Sequence, residues 1–161
     1  MSNSAFSVRP IGTVHVDGGG FRLDIHPEFT PALEGVSGFS HLVVLFWCHL
    51  VDSPETRDTL QVEKPYRKGP ERMGIFATRS PARPNPIGLS TVHVLHLEAS
   101  TGTIHVPYLD AEDGTPILDI KPYTGSVDRI RELGTPAWCA HWPQWVEESA
   151  DFDWGAEFTF A

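Results

Sequence analysis

The chain has 161 residues, of which 40% are apolar, with a mean hydropathy of −0.18. That length suits one domain with a real core, and no apolar run reaches membrane-spanning length. Its only cysteines, Cys48 and Cys139, exclude a disulfide framework and offer no CxxC pair for zinc. A net charge of −9 speaks against a nucleic-acid partner until the charge is mapped along the chain.

In chain order, the opening MSNSAFSVRP lacks the apolar core of a signal sequence, so a cytoplasmic location is expected. Turn residues DGGG at 17–20 precede FRLDIH (Phe21–His26), which alternates apolar and polar residues as a half-buried strand does. Thr30–Leu33 is expected to make one helical turn. The run HLVVLFWCHL (His41–Leu50) is nearly continuous in β-branched and aromatic residues, which predicts a central strand covered on both faces. Cys48 within it is expected to be buried and inert. MGIFATR (Met73–Arg79), LSTVHVLHLE (Leu89–Glu98) and TIHVPYL (Thr103–Leu109) are further strands, and PILDIK (Pro116–Lys121) and the terminal EFTFA are shorter ones. Turns are expected at STG 100–102 and EDG 112–114. SVDRIREL is predicted to form about two helical turns, from an N-cap at Ser126 to a stop at Gly134. TPAWCAHWPQWVEES reads as a helix capped by Thr135 and kinked at Pro143, with Trp138, Trp142, Trp145 and Val146 on one packing face. Many short strands punctuated by turns give a mainly β fold: a single curled, mostly antiparallel β-barrel with a few short helices and a C-terminal helical segment. One domain over 1–161 is expected, with its core at about 8–130 and a C-terminal extension at 131–161.

Charge is distributed unevenly. Residues 57–83 carry Arg57, Lys64, Arg67, Lys68, Arg72, Arg79 and Arg83 against only Asp58, Glu63 and Glu71, so this segment is +4 in an acidic protein. It leads into GIFATRSPARPNPIGLS (Gly74–Ser90), where Pro81, Pro84 and Pro86 fix φ and push their predecessors to extended geometry. Such an elbow is stiff without packing and presents Arg79, Arg83 and Asn85 at low entropic cost. A second segment, YLDAEDGTPILDIKPY (Tyr108–Tyr123), places Asp110, Glu112, Asp113 and Asp119 around a turn. These carboxylates are either solvated turn residues or partners for ribose hydroxyls and cationic ligand centres. His41 and His49 mark the two ends of the apolar strand. No GxGxxG, P-loop or GxSxG element is present, and no HExxH metal motif, so no resident metal is expected.

The blocks LEGVSGFSHLVVLFWCH, RMGIFATRSPARPNPIGLS and DAEDGTPILDIKPY, in that order, resemble the TsaA-like family of TrmO-type tRNA methyltransferases over about residues 8–130. The resemblance implies a β-barrel that binds S-adenosylmethionine without a Rossmann motif, works as a homodimer, and methylates N6 of N6-threonylcarbamoyladenosine at position 37 of tRNA. It implies cofactor contacts from His49, Leu50, Arg79, Leu89, Asp110, Ala111, Glu112 and Asp113. Arg79 would meet the methionyl carboxylate, and Leu50 and Leu89 the adenine. Asp113, His49 and Tyr123 are the candidates to assist proton removal. Arg83, Asn85 and Lys121 would orient the substrate, and Arg67 and Lys68 would meet backbone phosphates. Longer members of the family continue into a further domain, whereas 132–161 here has six acids and no Lys or Arg. A short form lacking that domain is therefore expected. Two other readings stay open on the acidic balance and the lack of an obvious base: methyl transfer to a small metabolite, and a non-catalytic S-adenosylmethionine-binding regulatory module.

Overall fold

The computed structural model describes residues 6–18 and 20–159. They fall into two compact units. One comprises the chain up to Asp52 together with Asn85–Arg129; the other comprises Ser53–Pro84 together with the chain from Ile130. The contacts therefore join the C-terminal extension to the basic segment.

The first unit is a seven-stranded antiparallel sheet. Its strands are β1 (Gly12–Asp17), β2 (Gly20–Ile25), β3 (His41–Trp47), β6 (Ile87–His93), β7 (His96–Glu98), β8 (Thr103–Val106) and β9 (Pro116–Pro122). The second unit contributes β4 (Gln61–Glu63) and β5 (Arg72–Gly74) as a separate hairpin. The large sheet runs β6-β3-β9-β1-β2-β8-β7. Its inward residues form one core of Val14, Leu23, Ile25, Leu42, Val44, Phe46, Val92, Ile104, Val106 and Ile117, joined by Leu33 and Leu109. Each fully buried aliphatic side chain contributes about 1.5–3 kcal/mol of transfer free energy.

The expected closed barrel is not formed. The sheet is open, with β6 and β7 as its edges and no ladder between them. Only Val94 and Leu95 separate these strands in sequence. Val94 N–H donates to Ser40 O at 2.8 Å, while Leu95 N–H donates to His105 O at 2.8 Å. Consecutive residues thus switch from one pairing neighbour to another, and the two edges are linked covalently where a barrel would need hydrogen bonds. The single strand expected over Leu89–Glu98 is split at this crossing.

Burial in β3 alternates: Leu42, Val44 and Phe46 point into the core, and His41, Val43, Leu45 and Trp47 are half-exposed. The strand is one in from an edge, not a central strand covered on both faces. Phe46 lies across Gly88, its partner in β6, so closely that a Cβ there would sit 2.2 Å from the ring. β3 meets β9 with a bulge: Leu45 faces Asp119 and Phe46 faces Ile117, leaving Leu118 unpaired.

The helical expectations fare worst. Pro27–Leu33 forms a 3₁₀ segment around the expected turn. SVDRIREL makes no helix; Val127, Ile130 and Leu133 are 81%, 69% and 58% exposed, so an isolated two-turn helix has no apolar face to pack. The Trp-rich stretch is two 3₁₀ segments, Ala137–Cys139 and Val146–Asp151, followed by a one-turn helix, Trp154–Glu157. Trp138 and Trp142 pack on Tyr66, whereas Trp145 and Val146 are exposed. MGIFATR is a strand only to Gly74 and then turns as 3₁₀. EFTFA begins as helix, and Phe158 pairs with Tyr66 in an isolated bridge; Phe160 and Ala161 lie outside the described residues.

Candidate functional site

One end of the first unit's sheet gathers most of the residues expected at a cofactor site. β3 ends at Trp47, where its partner β6 begins and where β9 enters. The Trp47 indole N–H donates to Asp52 Oδ2 at 2.9 Å and folds the 3₁₀ turn His49–Val51 back across the strand end. Cys48, half-buried here, donates its backbone N–H to Pro86 O at 2.8 Å, tying the end of the proline elbow to the same point. His49 Nδ1 lies 3.5 Å from Thr115 Oγ1, and Thr115 is buried directly behind the acidic turn. Leu50 and Leu89 are 69% and 45% exposed at this end.

The acidic turn is built by backbone bonds. Ala111 N–H donates to Leu109 O, Thr115 N–H to Glu112 O, and Gly114 N–H to Val14 O at 2.9 Å. Gly114 has φ +78°, the left-handed conformation that glycine adopts without steric cost. Asp110, Glu112 and Asp113 are exposed, and Ala111 packs on the core. Asp113 is held further: its Oδ1 accepts from Val16 N–H at 2.9 Å and stands 3.6 Å from His15 Nδ1. The neighbouring Tyr108 phenol is pushed up from its ordinary value, first by burial and then by the charge of Asp110, to which it donates a hydrogen bond.

Sequence reasoning did not single out His15. Its Nε2 is 3.6 Å from Asp24 Oδ2, and Asp24 accepts from Arg22 Nε at 2.9 Å, so the outer face of the β1–β2 hairpin carries a chain of polar contacts ending at Asp113. The alternation in GTVHVD was the available signal, for it sets His15 opposite Arg22.

Tyr123 and Lys121 lie elsewhere. Leu42 pairs with Pro122 and Tyr123 N–H donates to His41 O, at the start of β3. The length of β3, about 20 Å at ~3.4 Å per residue, separates them from His49. Tyr123 there faces His41, whose ring is 5.0 Å from that of His93. Lys121 pairs with Asp119 at 2.7 Å, and this hydrogen bond raises its pKa from the ordinary lysine value. Asn85 is exposed in the first unit, at the start of the elbow's second half.

In the second unit Arg79 is exposed and Arg83 is not presented outward. Arg83 Nη2 donates to Ile75 O at 3.0 Å and to Thr78 O at 2.8 Å, and its Nε is buried with no hydrogen-bond partner. The guanidinium therefore braces its own loop. Of the basic strip, Lys64 pairs with Glu71 at 2.6 Å and Arg72 with Glu63 at 2.9 Å across the β4–β5 hairpin. Arg67 and Lys68 are exposed in the loop between those strands.

The strand end, the exposed leucines and the acidic turn thus share one end of a small antiparallel sheet, and the sequence carries no glycine-rich phosphate loop. Residues 4–129 match the model of the tRNA-methyltransferase O N-terminal domain, and the chain belongs to that family. The chain is 38% identical over 109 residues to an S-adenosyl-L-methionine-binding protein of Archaeoglobus fulgidus, covering 68% of this chain and 73% of that one. It is 44% identical over 94 residues to the tRNA (adenine(37)-N6)-methyltransferase of Escherichia coli, covering 57% of this chain and 39% of the relative. The crystal structure of TrmO from Pseudomonas aeruginosa superposes with a TM-score of 0.61 at 29% identity, over 81% of this chain and 62% of that one.

Proposed function

We propose that this member of the family is an S-adenosylmethionine-dependent methyltransferase acting on N6 of a tRNA adenosine, with N6-threonylcarbamoyladenosine at position 37 as the modified base and a homodimer as the working form. The observation that carries the reading is the His49–Thr115 contact, which joins the end of β3 to the acidic turn at one sheet end. The residues there suit the cofactor chemically. Exposed Leu50 and Leu89 offer apolar surface to a purine, and Asp110 and Glu112 offer acceptors to ribose hydroxyls.

S-adenosylmethionine, when bound, supplies a methyl carbon already activated by its sulfonium. The protein's tasks are to align the acceptor nitrogen and to remove its proton. Of the three candidate bases, Asp113 and His49 lie at this sheet end. Val16 N–H and His15 hold Asp113 by Oδ1, and Thr115 engages Nδ1 of His49, which leaves Nε2 as the nitrogen for proton transfer. A base in an anticodon loop is already single-stranded and enters a pocket at little unpairing cost.

The test is turnover with tRNA from cells that lack this protein, read by mass spectrometry of the nucleosides. The expected result is formation of S-adenosylhomocysteine with a methyl gain on the modified adenosine. Product formation only with small-molecule extracts would transfer the activity to a metabolite, and cofactor binding with no turnover would leave a regulatory module.

A further inference from the structure

His15 stands between two carboxylates. Its Nε2 is 3.6 Å from Asp24 Oδ2, and its Nδ1 is 3.6 Å from Asp113 Oδ1. Asp24 is braced from the other side by Arg22, the residue paired with His15 across the hairpin. Arg22 Nε donates to Asp24 Oδ1 at 2.9 Å and to Oδ2 at 3.0 Å, and Nη1 reaches Asp17 Oδ2 at 3.4 Å. The acidic turn is fastened to the same strand by its backbone. Val14 N–H donates to Thr115 O and Gly114 N–H to Val14 O, both at 2.9 Å. One step along β1, Val16 N–H donates to Asp113 Oδ1, also at 2.9 Å. Both contacts of Asp113 with β1 use Oδ1, which leaves Oδ2 to face a ligand.

A neutral imidazole has one N–H and one bare lone pair, so it can donate to only one of these carboxylates and turns its lone pair on the other. The imidazolium donates to both and offsets their mutual repulsion. We propose that His15 is a positioning residue whose protonated form ties Asp113 to the braced Asp24–Arg22 pair, and that cofactor affinity therefore has a component that grows as pH falls through the range in which imidazole gains charge. The proposal rests on the reading above that places Asp113 at the S-adenosylmethionine site. The neighbours of β1 in the sheet are β2 and β9. The charged groups facing His15 are accordingly Asp24 and Arg22 on β2, Asp17 through Arg22, and Asp113 on the turn that leads into β9. The His15 side chain is 39% exposed, so water screens these attractions and the effect is modest.

Calorimetric titration of the full chain with S-adenosylmethionine, at about pH 6, 7 and 8, tests this in wild type, His15→Gln, Asp24→Asn, Asp113→Asn and the double variant His15→Gln/Asp24→Asn. Glutamine keeps a donor and loses the charge. At the lowest pH the Kd of His15→Gln should exceed that of wild type about two- to fivefold, the scale of a partly exposed ion pair, and the ratio should shrink towards one at the highest. The ratio cancels any pH dependence the two proteins share. Asp24→Asn should show the same pattern, and the double variant should lose no more than His15→Gln alone. Wild-type affinity of His15→Gln at the lowest pH, a ratio that does not change with pH, or additive losses in the double variant would overturn the role of His15 while leaving Asp113 in the site. Wild-type affinity of Asp113→Asn throughout would overturn both.

Discussion

At the scale of residues, two charged side chains have assignable work, Arg83 half-buried and Glu157 buried. Arg83 spans two carbonyls of its own loop, and a hydrogen bond to a charged group is worth about 1.5–3 kcal/mol. Arg83→Ala should lower unfolding stability by about 2 kcal/mol in urea titrations, and Arg83→Lys should recover little because an ammonium lacks the planar fork. Glu157 is only 5% exposed, and burial pushes its carboxyl up. The hydrogen bond from His141 at 2.8 Å, the nearby Trp142 indole, and the charges of His141 and Lys68 outweigh that and hold it below the ordinary value of 4.5. Neither Trp142 Nε1 nor Glu157 Oε1 completes a hydrogen bond. A carboxyl depressed in the native state stabilises at pH values above its unfolded pKa, and that stability is lost as pH falls through the native one. Tryptophan emission followed against temperature from pH 7 to pH 3 should therefore show the melting point falling through the acid range, with a shallower fall in Glu157→Gln.

At the scale of elements, the close crossing of Phe46 over Gly88 leaves no room for a methyl group. Gly88→Ala must displace the ring or the strand, and overpacking of this kind costs about 1–3 kcal/mol. The denaturation midpoint should fall, and Phe46→Leu in the same chain should return part of it. The elements legible in the sequence were those whose signal is local. β2, β8 and β9 showed alternation or a β-branched run beside a turn, and β3 was unmistakable as a strand. Its apolar density nonetheless suggested cover on both faces, because periodicity does not tell a half-exposed Val43 or Leu45 from a buried one. The Trp-rich helix failed for the opposite reason. Trp138 and Trp142 find their partner in Tyr66, some seventy residues away, and nothing near them in the sequence announces it.

At the scale of the whole molecule, charge decides how RNA could be met. Lys64 and Arg72 are each paired with a carboxylate in the hairpin, while Arg67 and Lys68 sit exposed between those strands. Arg67→Ala with Lys68→Ala should reduce the slope of log affinity for tRNA against log salt by about 1.5. Lys64→Ala with Arg72→Ala should change it less, which filter binding across a salt series measures. Three motif blocks supplied the candidate site residues, and the structure gathers His49, Leu50, Leu89 and the acidic turn at one strand end; their contact with a cofactor is a proposal. The engagement of Arg83 was not legible because it depends on how its loop folds back on itself, and the link from His15 to Asp113 because it joins distant segments.

Sheet closure was likewise beyond local reading, because it depends on whether distant edges exchange hydrogen bonds. Here those edges are β6 and β7, with Val94 and Leu95 between them. Side chains alternate with a period of two, so a third residue at this seam would reverse the facing of either Val92 or Leu97. Val92 belongs to the core and Leu97 packs against it. An odd insertion there must therefore either turn one of these side chains away from the core or be taken up by a bulge, as Leu118 is in β9.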